Sequence, residues 1–538
     1  MATKLAGALV IVVAVLSSAQ WLKSSGQNLK PQFHTSDRCF ACHNELSTAN
    51  GEDISIGLAW RSSIMANSAR DPYWQGSVRR ETIDHPQASS EIQDECSVCH
   101  MPMMRYEAKV KGKKGEIFAQ LPFDPDNKES AAAEDGVTCS VCHQISKEKL
   151  GTKDSFNGGF VVDSPQAKND RPEYGPFAIP PDRQHIMNTS TGGFLPVQAA
   201  HIRDSALCGS CHQLYTTSRG KDGEAVGSLP EQMPYLEWLH SDYPSKYSCQ
   251  GCHMPEVPEP VRISSVLGIP RSGMHQHVFV GGNFLVQQML NRYRDELSVA
   301  ALPQELTTAS EETLRFLQTQ SAHLEIQDVQ VNGGHFHAKV VVHNLTGHKL
   351  PTAYPSRRAW LHLTVRDRDG HTVFESGALK ADGSIAGNDN DTDASRYEPH
   401  YREITEPDQV EIFESIMKGQ QGQVTTGLLD AIAYLKDNRV LPTGFDKQTA
   451  DKDIAVVGDA ANDPEFRAGE ASVTYSVPVA ATDGPFHVEV ELLYQPIGFR
   501  WAHNLEPYKA VEPQRFVEYY ESMSSSITTL LARVEATR

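Results

Sequence analysis

Beyond residue 16 the chain has no apolar run approaching the roughly 20 residues that cross a bilayer, which excludes a polytopic membrane protein. It has no basic surplus either. With 49 Lys and Arg against 68 Asp and Glu, the formal charge is −19, which argues against nucleic acid or anionic lipid as a partner and for basic or weakly charged partners met by electrostatic steering. No segment is of low complexity. Cysteine is absent after Cys252, so whatever chemistry the 10 cysteines carry is confined to the first half of 538 residues.

Those cysteines form one pattern written five times: Cys39, Cys42 and His43; Cys96, Cys99 and His100; Cys139, Cys142 and His143; Cys208, Cys211 and His212; Cys249, Cys252 and His253. Cys-x-x-Cys-His is the attachment signature of c-type haem, in which two thiols form thioethers with the vinyl groups and the next histidine is the proximal iron ligand. Two intervening residues let both sulfurs reach one porphyrin edge. Zinc is the competing reading, since two CxxC units supply four thiolates, but five units do not pair off and zinc needs no histidine after every second cysteine. Disulfides or redox CxxC pairs would not recur in this form. The motifs are too closely spaced for each porphyrin to have its own apolar core, so five covalent haems would themselves form much of the interior.

The N-terminus, MATKLAGALVIVVAVLSSAQ, has one lysine, an apolar run from Leu5 to Leu16 and small residues at Ser17 and Ala19. It reads as a signal peptide over 1–19, with an uncleaved signal anchor as the alternative. Export agrees with c-type haem, which is attached on the outer side of the bacterial cytoplasmic membrane, so the expected location is the periplasm, the outer membrane or the exterior.

The expected fold class is α+β and multidomain. A mainly helical and loop-rich pentahaem cytochrome c domain spans 20–282, with turn-forming stretches between the motifs. A helical connector covers 283–322, its second helix opened by Thr308 and Glu311. Polar–apolar alternation in HLEIQDVQV, GHFHAKVVVHN, RAWLHLTVRDRDGHTVFES, QVEIFESIM, ASVTYSVPV and FHVEVELLYQ predicts an antiparallel, immunoglobulin-like β-sandwich over 323–500. A helical insertion is expected at GLLDAIAYLKDN and a C-terminal helix over 501–538.

The stretches WRSSIMANSARDPYW, EDGVTCSVCH, DSALCGSCH, YLEWLHSDYPSKYSCQGCHMP, HVFVGGN and NLTGHKLPTAYPSRRAWLHL resemble the multihaem cytochrome c family, in the branch with a cytochrome c-prime-like multihaem module. The resemblance implies electron transfer through stacked haems, with some members reducing or oxidising nitrogen and sulfur compounds. Related sequences often carry histidine where this chain has Met65, which makes Met65 a candidate sixth ligand.

The distal ligand decides function: a second strong ligand makes a carrier, and an open position makes a site where substrate binds iron. His34, His85, His185, His201, His240, His275 and His277 lie in or near the motif region. The favoured distal candidates are His201 and the pair His275 and His277 beside Gly281 and Gly282; His348 is a further candidate if it reaches across from the sandwich, against the favoured reading of a strand-end histidine bonded to a loop, and His400 has a weaker claim. Met101, Met103, Met104 and Met254 read as packing. Asn388, Asp389, Asp391 and Asp393 offer alternating oxygen donors, hence a calcium reading, although the EF-hand glycine and glutamate are missing.

The function expected is an electron relay between a quinol-side donor and a terminal reductase or outer-membrane cytochrome, with no catalytic residues of its own. The alternative is a multihaem oxidoreductase acting on a nitrogen or sulfur oxyanion at one open haem.

Overall fold

The computed structural model describes residues 33–124, 127–162 and 171–538, so the signal-peptide reading lies outside the described residues. Each Cys-x-x-Cys-His begins on or within a short helical stretch: Asp37–His43, Ser89–His100, Cys139–Gln144, Ser205–Gly209 and Cys249–His253. One helical turn brings residues i and i+3 to the same side, which aligns the two sulfurs. Local capping holds two of these turns. Ser248 Oγ accepts the Gly251 N–H at 3.2 Å, and the Asp204 carboxylate accepts the Ala206 N–H at 2.9 Å.

This half also contains regular sheet that loop-rich expectations missed. Leu214–Arg219 and Ala225–Gln232 form an antiparallel hairpin, and Arg171–Gly175 pairs in parallel with Phe194–Gln198. The hairpin turn is the Asp222-Gly223 pair, where glycine takes φ of 83°.

Helix Phe284–Arg292 buries Phe284, Leu285, Val286, Gln287, Met289 and Leu290. The next helix opens at Pro303 rather than at Thr308, because proline suits the first helical turn and the Glu305 carboxylate accepts the Leu302 N–H at 3.0 Å. It then leads into two sheets. One has the order 372–376, 358–366, 487–495, 529–537, with 412–413 also paired to 358–366; the other runs 403–404, 470–478, 335–344, 322–332. Alternate residues Leu361, Leu363, Val365, Val488, Val490 and Leu492 of the first share one apolar core with Phe336, Ala338, Val340, Val473, Tyr475 and Val477 of the second.

Two expectations fail here. The helical insertion is instead a strand, Ala431–Asp437, at one edge of a three-stranded sheet whose central strand is Ser415–Gly419 and whose other edge is Val424–Thr425. Ala, Leu and Lys favour helix, but pairing and the burial of Lys436 and Asp437 override that weak preference. The C-terminal helix stops at Ser522, and Thr529–Thr537 is a sheet strand whose first residues alternate between buried and half-buried. Helix Val511–Ser522 packs back on Pro72–Asp84, where Gly76 admits the backbone of Glu512 and Pro513, and Arg79 pairs with both Glu512 oxygens at 2.8 Å.

Candidate haem-binding cavity

All ten cysteines and all five motif histidines line one cavity of about 1960 Å³. A single-ligand pocket is usually ~300–1,000 Å³, so this space is built for more than one bound group. None of the cysteines is disulfide-bonded. Among the described residues, no three of these thiols and imidazoles converge as a tetrahedral zinc site requires. Thiols from different motifs meet instead: Cys39 with Cys139, Cys99 with Cys211, and Cys208 with Cys249, while Cys142 lies near Cys211. The first motif therefore adjoins the third, and the fourth adjoins the second, third and fifth. Burial pushes the Cys142 thiol up to about 12 and so keeps it protonated.

The motif histidines are oriented by main-chain carbonyls. Nδ1–H donates to Ile263 from His43 at 2.6 Å, to Ser68 from His100 at 3.0 Å, to Tyr174 from His143 at 2.6 Å and to Val280 from His253 at 2.6 Å. A carbonyl can only accept, so each of these rings carries its proton on Nδ1 and leaves Nε2 as a bare lone pair. That is the tautomer an iron ligand needs, and the support is of the kind seen behind metal-bound histidines. Burial lowers His100 and His212 to about 4, which holds both neutral.

Two further histidines face two of these rings across the cavity. His277 opposes His143 with ring centres 6.3 Å apart and planes 17° off parallel; His348 opposes His253 at 6.3 Å and 13°. Two metal–imidazole bonds of about 2.0 Å, plus roughly 1.1 Å from each nitrogen to its ring centre, give about 6.2 Å for two imidazoles bound trans on one metal. Spacing alone does not define the arrangement, since His323 and His343 lie 5.9 Å apart as cross-strand neighbours. His277 and His348 differ in lining the cavity, in donating Nδ1–H to the carbonyls of His275 and Lys349, and in being driven down by burial to about 3 and about 4. The residues fit bis-histidine haem at the third and fifth motifs.

The loop carrying His348 rests on a buried ionic quartet. Lys349 Nζ meets Asp437 at 2.7 Å, Arg439 meets Asp437 at 2.8 Å and Glu237 at 3.1 Å, and Glu237 accepts the Lys349 N–H at 3.1 Å. Burial raises the Asp437 carboxyl, but Arg439 and Lys349 outweigh it and hold that group well below the usual carboxylate range. At the His277 segment, a side chain on Gly282 would stand 2.7 Å from the Tyr494 hydroxyl, so glycine permits the close passage.

The other candidates are placed differently. His275 lines the cavity with Nδ1–H on the Met254 carbonyl at 2.5 Å, and Met65 lines it beside Gly136. His201 is outside the wall: its Nε2 donates to the Ile145 carbonyl at 2.8 Å and its ring meets Tyr174 edge-on. Met101, Met103 and Met104 sit in apolar clusters. His400 is held between Glu411 at 2.7 Å and Asp463 at 3.0 Å and is not among the residues lining the cavity. Of the residues of the calcium reading, Asp391 gives both oxygens to Arg358 and Asp389 pairs with Arg396.

Sequence reasoning missed several wall residues. Trp74 stacks on His100 at 4.3 Å and 4°, and Tyr73, Tyr354 and Glu231 line the cavity near the second motif. Glu173 also lines it, from the short parallel sheet. Only DPYW, with its Asp71 cap, carried a readable signal for any of them.

The described fold resembles that of a solved multihaem cytochrome. It matches a solved structure, the penta-heme cytochrome c552 from Thermochromatium tepidum, at a TM-score of 0.53 and 15% identity, covering 95% of this chain and 100% of that one. At this identity the likeness is one of fold. No family model matches the chain, and no curated relative matches it. Among the described residues no helix is long and apolar enough to cross a membrane.

Proposed function

We propose that the protein is an exported pentahaem c-type cytochrome that passes electrons singly along covalently bound haems. The observation that carries this reading is the common aim of the cavity: four motif histidines hold Nδ1–H on carbonyls, and two of them have a second neutral imidazole at trans-ligand spacing. Cys39, Cys42, Cys96, Cys99, Cys139, Cys142, Cys208, Cys211, Cys249 and Cys252 would hold the haems, and His43, His100, His143, His212 and His253 would bind iron proximally. His277 and His348 would close the third and fifth sites, with Met65 and His275 left as candidates for others. Bound haem supplies one-electron chemistry, while the protein fixes spacing, burial and axial ligands. Contacts between motifs support an order in which the first haem leads to the third, the third to the fourth, and the fourth branches to the second and fifth. The acidic surface favours basic or weakly charged redox partners outside the cytoplasmic membrane. Electron paramagnetic resonance of the oxidised protein tests the assignment: His277→Ala and His348→Ala each convert one low-spin ferric haem to high spin, and unchanged spectra in both would overturn the bis-histidine pairs.

One observation favours a second reading. Tyr73 and Tyr354 pair their hydroxyls beside Glu231 near the second motif, where His100 has a tryptophan stacked against it and no opposed histidine among the described residues. An open second site with these proton donors would serve reduction or oxidation of a small nitrogen or sulfur oxyanion. A high-spin signal in the unmodified protein that shifts on adding nitrite or hydroxylamine supports this reading, and five low-spin haems exclude it.

A further inference from the structure

Glu173 is a carboxyl group without a use in the fold. It is 8% exposed, lines the cavity, and its Oε1 is buried with no hydrogen-bond partner among the described residues. Burying such a group without a partner costs several kcal/mol if it is charged, so a fold that retains it needs a reason. Its position is fixed by main chain on both sides: Glu173 pairs with Pro196 in the parallel sheet, and the next carbonyl, of Tyr174, accepts the Nδ1–H of His143. The first and third motifs adjoin here, at Cys39 and Cys139.

Resting on the haem reading above, we propose that Glu173 is a proton-binding group coupled to electron transfer at the adjoining first and third haems. As an electron arrives beside it, the Glu173 carboxylate takes up one proton from solvent to become the carboxylic acid, and it releases that proton when the electron moves on. The electron comes from a one-electron donor protein, so one negative charge and one positive charge enter together and the local charge is unchanged. Linkage makes the effect reciprocal: a proton on Glu173 favours the reduced state, so the affected haem is easier to reduce at low pH and harder at high pH. Other groups around the site do not replace it. On its own strand Arg171 is engaged with His34 at 3.3 Å and stacks on Phe194; the helix behind carries His143, an iron ligand in this reading; the turn alongside carries His201, on a carbonyl, and Arg203, bonded to Gly273. The first-motif helix brings Asp37 and Arg38, and Asp135 accepts two bonds from Ser36. Phe194–Gln198 brings no ionisable side chain. Burial, then the neighbouring Cys39, pushes the Glu173 carboxyl well above the usual range, with Arg171 opposing.

The test is spectroelectrochemical titration of the full-length holoprotein at pH 5 to 9, for the unmodified chain and for Glu173→Gln. The expected result is a midpoint potential that falls with rising pH for one haem, and loss of most of that slope in the variant with the other haems unmoved. An equal slope in the variant overturns the assignment to Glu173. Redox-difference infrared spectra of the unmodified protein give an independent reading that does not depend on the variant folding. A protonated-carboxyl band on reduction supports the proposal, and its absence overturns it. Peptide masses separate the two levels of failure, since missing haem on Cys39/Cys42 or Cys139/Cys142 overturns the haem reading and this inference with it.

Discussion

In the proposed reading single side chains set the axial positions, and their supports are as informative as the ligands. Lys349 is 0% exposed, and its charge is compensated by Asp437 and Glu237. Removing one partner of a buried pair typically costs about 3–5 kcal/mol, so Asp437→Asn should lower stability to urea by that order. The same change should loosen His348 and broaden the fifth haem's spectrum. His400 makes a different prediction. Burial disfavours its charge, yet Glu411 and Asp463 outweigh burial and raise its pKa in the folded state. A raised folded value means its stabilisation is fully present below the unfolded value of about 6.5 and is lost as pH rises through the folded one. The stability gap between the native protein and His400→Gln should therefore narrow as pH rises; a gap that widens would show the ring is not a buried cation. The ten cysteines and five motif histidines that line the cavity could be singled out in the sequence because they recur in one spacing. Glu173 could not be, because its isolation depends on two strands and a helix that meet only in the fold.

Secondary elements place the cavity residues, and they show where periodicity misleads. In the sandwich, Leu363 faces its partner strand at Val490 and both are fully buried. Leu363→Ala should cost roughly 2–5 kcal/mol, measurable as a lower urea midpoint with an unchanged m-value. The alternation that predicted these strands is strong because one face of each is buried. By contrast, GLLDAIAYLKDN has helix-forming residues but becomes a strand, since Tyr434 reaches the Pro230 carbonyl at 2.9 Å and Lys436 reaches the Ile412 carbonyl at 2.8 Å. No local window contains those partners. The final strand, Thr529–Thr537, closes one edge of the sheet for the same kind of reason: its pairing with His487–Gln495 outweighs the apolar spacing that read as helix.

At the scale of the molecule, the central fact is that the motif half is wrapped around a space of about 1960 Å³, with small apolar clusters beside it. Stability of ~5–15 kcal/mol leaves no margin for such an interior without the proposed haems, so chain produced without haem attachment should be unfolded by circular dichroism and rapidly proteolysed. A well-folded apoprotein would mean that the cavity holds something else. The cavity could not be read from sequence, although the need for one could, because five closely spaced motifs leave too few residues for conventional cores. The most direct test of the account is haem quantification by pyridine haemochrome, combined with masses of the proteolytic peptides. The account predicts five c-type haems per chain, one on each Cys-x-x-Cys-His peptide; fewer than five, or peptides with free thiols and zinc in the protein, would contradict it.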